Sequence, residues 1–309
     1  MSMECKVTVI CLCYNQAAYI RDALEGFAMQ KTSFPFEVLV HDDASTDGTA
    51  GIVREYAERY PGIIVPVLQT ENQYSKGVSI SRTFLYPLVR GEYVALCEGD
   101  DFWTDPLKLQ KQADALDAHP EVDICAHRAL VITDRPEGFV APDLRTRVLS
   151  ADEVIAGGGG YVATASLMVR REAYMKQTPM REICTMDYVL QMQASLRGGM
   201  LYLEDCMSVY RKGVPGSWSS TQRGGAAPAE LQARILDALD EYTGGAHHKA
   251  VDLRKRINRS KELLRRRRLL SMIAPGEIGI TLKRIGRSFR RLRIKLHYAH
   301  SYKDIPSSV

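Results

Sequence analysis

Three apolar runs in the first hundred residues each stop abruptly on polar side chains. Val7 to Cys13 runs into Tyr14 and Asn15, Phe36 to His41 into the stretch Asp42 to Thr49, and Tyr93 to Cys97 into Glu98-Gly99-Asp100-Asp101. The first two are followed by helix-like stretches, Ala17 to Met29 and Thr49 to Tyr60, so the order is strand, polar loop, helix, repeated. That order predicts an α/β fold with a mostly parallel central sheet, flanked by helices and buried on both faces. In such sheets ligands collect outside the carboxyl ends of the strands, where all three polar groups lie. A further helix is expected from Pro106 to Asp117 and a strand near Val122 to Ala126.

The third loop carries the chemistry. Ionised carboxylates a few ångströms apart repel unless a divalent cation or protonation relieves them. Glu98, Asp100 and Asp101 therefore suggest Mg2+ or Mn2+, hard ions that share oxygen ligands with substrate phosphates. A solvated acidic turn is the plainer alternative.

Taken together, Cys13-Tyr14-Asn15, the segment Val40 to Thr49, the segment Gly91 to Asp101 and Met186-Asp187-Tyr188 resemble a family 2 glycosyltransferase of the GT-A, Rossmann-like fold. These are inverting enzymes that build bacterial surface polysaccharides and related glycoconjugates. The resemblance covers about residues 5 to 220. It implies a nucleotide-sugar donor and a saccharide or lipid-linked acceptor. Tyr14 and Asn15 would lie beside the nucleotide, and Asp43, with Asp42 next to it, would accept a base imide N–H. That donor is shared by uracil and thymine, which favours UDP- or dTDP-sugars, and a guanine N1–H would also satisfy it. Arg82 falls where a basic residue near the donor phosphates is common.

By the same resemblance Glu98 and Asp100 replace the D-x-D pair as E-x-D, with Asp101 directly after, and hold the ion that bridges the diphosphate. Asp187 matches the general base, placed near a helix N-terminus whose dipole would keep it ionised. Thr164-Ala165-Ser166, after four glycines at 157–160 expected to form a mobile loop, would line the acceptor site. One departure concerns position 213, where Gly213 stands in place of an expected histidine. Arg211 or Lys212 would then supply the missing positive charge at the diphosphate, with a weaker dependence on metal, and Trp218 would be a lid aromatic or simply core.

Bulk properties set the remaining expectations. The 309 residues are 45% hydrophobic, enough for one large core and an appended element. Seven cysteines without a C-x-x-C pair, and no signal peptide, suggest reduced thiols and a cytoplasmic location. No apolar run approaches the roughly 18 residues of a membrane span. We expect a catalytic domain over 1–220, with a nucleotide-sugar half at 1–125 and an acceptor half at 126–220, and a helical, basic extension over 221–309.

Charge separates those two parts. Residues 251–309 carry seventeen Lys and Arg against four acids, a balance of +13, which leaves −9 for residues 1–250 given the net +4. Leu282, Ile285, Phe289, Leu292 and Leu296 form a stripe at helical spacing with arginines and lysines between them. Such a helix suits an anionic membrane surface, making the enzyme peripheral at the inner face, or equally a homodimer seam. The alternative from another class is a nucleic-acid-binding protein acting through the basic tail; against it, and for no nucleic-acid partner, the acidic half repels a polyanion and the tail lacks interleaved aromatics. A nucleotidyltransferase is disfavoured because the loop Tyr14 to Ala18 is neither glycine-rich nor basic.

Overall fold

The computed structural model describes residues 5–217 and 229–273, with side chains to Leu264. Among these residues one sheet has ten strands. They are β1 (Val7–Cys13), β2 (Phe36–Asp42), β3 (Ile64–Leu68), β4 (Tyr93–Leu96), β5 (Phe102–Trp103), β6 (Ile124–Ile132), β7 (Pro136–Val140), β8 (Arg147–Leu149), β9 (Met168–Arg170) and β10 (Met200–Arg211). The main order is β3-β2-β1-β4-β9-β6-β10-β5. β1 pairs in parallel with β2 and β4, β2 with β3, and β6 with β10. β9 enters antiparallel between β4 and β6. The register Ile10 to Leu39 and Ile10 to Leu96 brings the ends of the three apolar runs side by side.

Alternation along each strand builds two cores. Val7, Val9, Cys11 and Cys13 of β1, with Val38 and Val40 of β2, face a cluster closed by Ile20, Leu24 and Phe27 of α1 (Ile20–Ala28), Val53 of α2 (Thr49–Arg59) and Leu109 and Leu116 of α3 (Lys108–Ala118). Ile10, Leu39 and Val94 point to the other face, against Val154 of α4 (Ala151–Gly157), Tyr174 of α5 (Arg171–Met175) and Leu190 of α7 (Asp187–Ser195). Both sheet faces are therefore dry, as the continuous apolar runs required. Between α5 and α7 lies α6 (Pro179–Ile183), started by Thr178, whose hydroxyl accepts the Arg181 N–H, and by Pro179 in the first turn.

A third core joins Tyr188, Val189 and Met192 of α7 to Ile235, Leu236 and Leu239 of α8 (Ala229–Tyr242) and to Val251 of α9 (His248–Ile273). The chain divides into two compact units, Met1–Asn258 and Arg259–Val309. The first unit thus extends past residue 220, where the sequence suggested a break, because α8 and the start of α9 bury apolar residues against α7. The stripe Leu282 to Leu296 and Trp218 lie outside the described residues. No helix among the described residues is long and apolar enough to cross a membrane.

Candidate active site

The three strand ends interlock through their own polar side chains. Asn15, with φ 51, donates its N–H to Ser45 Oγ at 2.8 Å and accepts the Thr46 N–H on Oδ1 at 2.8 Å, which ties the β1 loop to the β2 loop. Asp42 is turned inward, accepting the Ser45 N–H at 3.0 Å and the Ser45 hydroxyl at 2.5 Å. Asp43 accepts the Gln73 N–H at 2.8 Å and the Tyr74 N–H at 3.0 Å, one on each oxygen. Each oxygen keeps a second lone pair, so a base N–H could still be accepted. Tyr14 stands half open to solvent beside this loop.

The acidic turn is set by close approach. Gly99 donates its N–H to Leu12 O at 2.9 Å, and a Cβ on Gly99 would meet Gln16 Oε1 at 2.5 Å, Ile20 Cδ1 at 2.8 Å and Cys13 Cβ at 2.9 Å. Only glycine lets the turn lie against the end of β1. Glu98 opens into a cleft of about 110 Å³ that Thr164 and Asp187 also line. Its side chain is exposed at that cleft, and desolvation by the surrounding protein, then Asp100 and Asp187, push its carboxyl up to about 8. Burial likewise raises Asp100, against the opposing pull of Arg211 and Gln16. Asp101 is 1% exposed and its carboxyl is pushed up by burial and then by Asp100 and Glu98. Its Oδ1 accepts the Arg211 N–H at 2.8 Å, and its buried Oδ2 has no partner among the described residues.

Arg211 braces this turn. Nη1 donates to Asp100 O at 3.0 Å, Nη2 pairs with Asp22, and the guanidinium lies 4.4 Å from the Phe102 ring centre. Lys212 points elsewhere, to Glu137 Oε2 at 3.1 Å. Gly213 adopts φ +82, which any histidine there would adopt only under strain. Arg82 is exposed on the turn Ser81–Leu85 and reaches Arg181 O at 3.5 Å.

Among the described residues no three Asp, Glu, His or Cys side chains already converge as a cation cage. The expected three-acid ligand set is therefore not preassembled, since Asp101 is committed to the Arg211 backbone. Asp100 raises the proton affinity of Glu98, and Asp101 leaves one carboxylate oxygen orphaned. That donor set fits Mg2+ or Mn2+, which take one or two carboxylates and fill the rest from water and phosphate.

Asp187 opens α7. Its Oδ2 accepts the Thr164 hydroxyl at 2.7 Å and its Oδ1 the Tyr188 N–H at 2.7 Å. Burial nevertheless raises this carboxyl, outweighing both hydrogen bonds. Desolvation at the cleft thus acts against the ionised form that the helix terminus was expected to favour.

The glycine loop is tied rather than loose. Arg254 donates to Gly157 O at 3.0 Å, and a Cβ on Gly158 would fall 2.1 Å from the guanidinium carbon. Sequence reasoning missed Arg254, Arg181, Ser79 and Tyr86, since isolated polar residues read as solvated until tertiary packing covers them.

The sequence pattern of glycosyl transferase family 2 matches residues 8–177, and the chain belongs to that family. It is 41% identical over 216 residues to the uncharacterized protein Rv1520 of Mycobacterium tuberculosis, covering 69% of this chain and 61% of that protein. The chain thus spans about 61% of the length of this curated relative. The fold resembles Staphylococcus aureus TarS 1-349 in complex with UDP-GlcNAc, with TM-score 0.60, 19% identity, and 81% of this chain and 70% of that one covered. It also resembles the mannosyltransferase PcManGT from Pyrobaculum calidifontis in complex with GDP-Man and Mn2+, with TM-score 0.51, 21% identity and coverage of 81% and 69%.

Proposed function

We propose that this chain transfers a sugar from a nucleoside diphosphate donor, UDP- or dTDP-linked, to a hydroxyl of a saccharide or lipid-linked acceptor, with inversion, in the synthesis of surface polysaccharide or glycoconjugate. The observation that carries the reading is the pairing, in one cleft, of Glu98 with Asp187, the latter fixed by Thr164. Asp43 receives the base imide N–H, while Asp42 and Asn15 shape the loop that presents it. A TarS complex with UDP-GlcNAc supports a uridine donor and the PcManGT complex a guanosine one; the lone pairs left on Asp43 serve either.

Glu98 and Asp100, with Asp101 next to them, would hold a divalent cation, which when bound would neutralise charge on the departing diphosphate. Asp187 accepts the acceptor hydroxyl proton as that oxygen attacks the anomeric carbon from the face opposite the leaving group. One displacement inverts the centre. Thr164 keeps the receiving oxygen aimed, and Arg211 holds the acidic turn in register. The basic tail places the enzyme at an anionic membrane surface or forms a homodimer seam.

The test is turnover of UDP-, dTDP- and GDP-sugars with Mg2+ or Mn2+, with and without chelator, comparing wild type with Asp187→Asn. Loss of transfer in the variant with nucleotide binding retained supports the reading. Full activity of Asp187→Asn, or no nucleotide binding by the wild type, refutes it.

A further inference from the structure

One wall of the cleft holds a cation that the proposed reaction does not use. Arg181, on α6, is 5% exposed and lines the cleft with Glu98 and Asp187. It is the single cationic side chain among the lining residues. One Nη donates to Tyr174 O at 2.9 Å and to the Tyr86 hydroxyl, the guanidinium lies 5.7 Å from the Tyr174 ring centre, and no carboxylate ion-pairs with it among the described residues.

Beside it the wall is polar. Ser79, Ser81, Tyr86 and Tyr174 line the same cleft, and Ser79 Oγ is buried with no partner among the described residues. A buried guanidinium without a counter-ion and an orphaned hydroxyl are both costly unless a ligand completes them. An ammonium or hydroxyl-only ligand would leave the cation uncompensated, whereas a carboxylate or phosphate would bring the negative charge and acceptors that the wall lacks.

Resting on the sugar-transfer reading, we infer that Arg181, with Ser79, recognises an anionic group on the sugar substrate, a uronate carboxylate or a sugar phosphate, across the cleft from the base. The anion could belong to the donor sugar or to the acceptor. Its fixed position sets which sugars seat with a hydroxyl or an anomeric carbon facing Asp187. Arg181 is thus a specificity residue, distinct from the acids that serve the diphosphate.

Titration calorimetry of the full chain with Mn2+ separates the sources. The donor arm compares UDP-glucose with UDP-glucuronate, and the acceptor arm compares glucose, glucuronate and glucose 1-phosphate on free and UDP-loaded protein. In one arm the anionic probe should bind at least about tenfold tighter than its neutral partner, the size of a charge-assisted hydrogen bond. Arg181→Gln should erase that preference while UDP affinity stays within about twofold. Should Arg181→Gln fail to fold, Arg181→Lys and Ser79→Ala, each checked by thermal melting, should reduce the preference by about threefold or more. Equal binding of anionic and neutral probes in both arms, or a preference that survives these substitutions, overturns the inference. Failure of UDP alone to bind would instead count against the donor reading, and the sugar probes on free protein would still decide the role of Arg181.

Discussion

Thr164 donates a 2.7 Å hydrogen bond to the very carboxylate, Asp187, whose proton affinity burial raises. The bond opposes that rise and, with the Tyr188 N–H, fixes the orientation of the carboxylate. Asp187→Asn should lower kcat by about 10² to 10⁴ with donor binding intact. Thr164→Val should lower kcat by about tenfold, and because the lost bond had favoured the ionised form, the acid limb of the pH–rate profile should move to higher pH. Steady-state kinetics across pH checks both, and an unmoved limb in Thr164→Val would show that the bond does not reach the base.

Gly99 has no room for a methyl group against Gln16, Ile20 and Cys13. Gly99→Ala should destabilise the protein by about 1–3 kcal/mol, as overpacking does, and should depress transfer more than it depresses melting, because the displaced turn carries Glu98 and Asp100. Thermal melts paired with activity assays read the difference.

Arg211 and Lys212 are adjacent but should behave differently. Arg211→Ala removes the contact with Asp100 O, the pairing with Asp22 and the packing on Phe102, so Mn2+ and UDP affinity should fall by about tenfold or more. Lys212→Ala loses only an exposed pairing with Glu137 and should leave both within about twofold. Equal losses would return Lys212 to the diphosphate role suggested by its sequence position.

Lys108 is wholly buried, 3.8 Å from the Trp103 ring centre, with no hydrogen-bond partner for Nζ among the described residues. Burial pulls its amine down to about 7, although Cys97 and Cys125 act in the other direction. Above that value the folded lysine is neutral while the unfolded one keeps its proton up to its ordinary range, so the unfolded state binds more protons. Stability should therefore rise as pH goes from about 7 toward 10 and be lowest below 7. Lys108→Met should flatten this slope and raise the melting temperature at pH 7, measurable by calorimetry across pH. A slope unchanged in the variant would assign the dependence to another group.

The strand ends were legible because two physical rules act locally on them. Continuous apolar runs such as Val7 to Cys13 need burial on both sides, and the side chains that follow must then lie at the sheet edge. The helix predicted over Pro106 to Asp117 is observed as Lys108–Ala118. Thr164 was legible through its place after the glycines. What could not be read is which polar side chains turn inward. Asp42 and Asp43 are identical neighbours in sequence, yet one caps its own turn and the other grips Gln73 and Tyr74, a choice made by chain segments 30 residues away. The same holds for Arg181, whose burial depends on Tyr86 and Tyr174, and for Asp101, whose partner lies 110 positions on.

Arg254 plugs the space that a side chain at Gly158 would otherwise fill, and it comes from a helix that sequence composition had assigned to an appendage. Cutting the chain after residue 220 would therefore do more than shed a tail. It would unseat the loop that leads into Thr164 and bare the apolar flank of the helix bearing Asp187, so a shortened enzyme should lose turnover even toward water-soluble acceptors that never meet a bilayer.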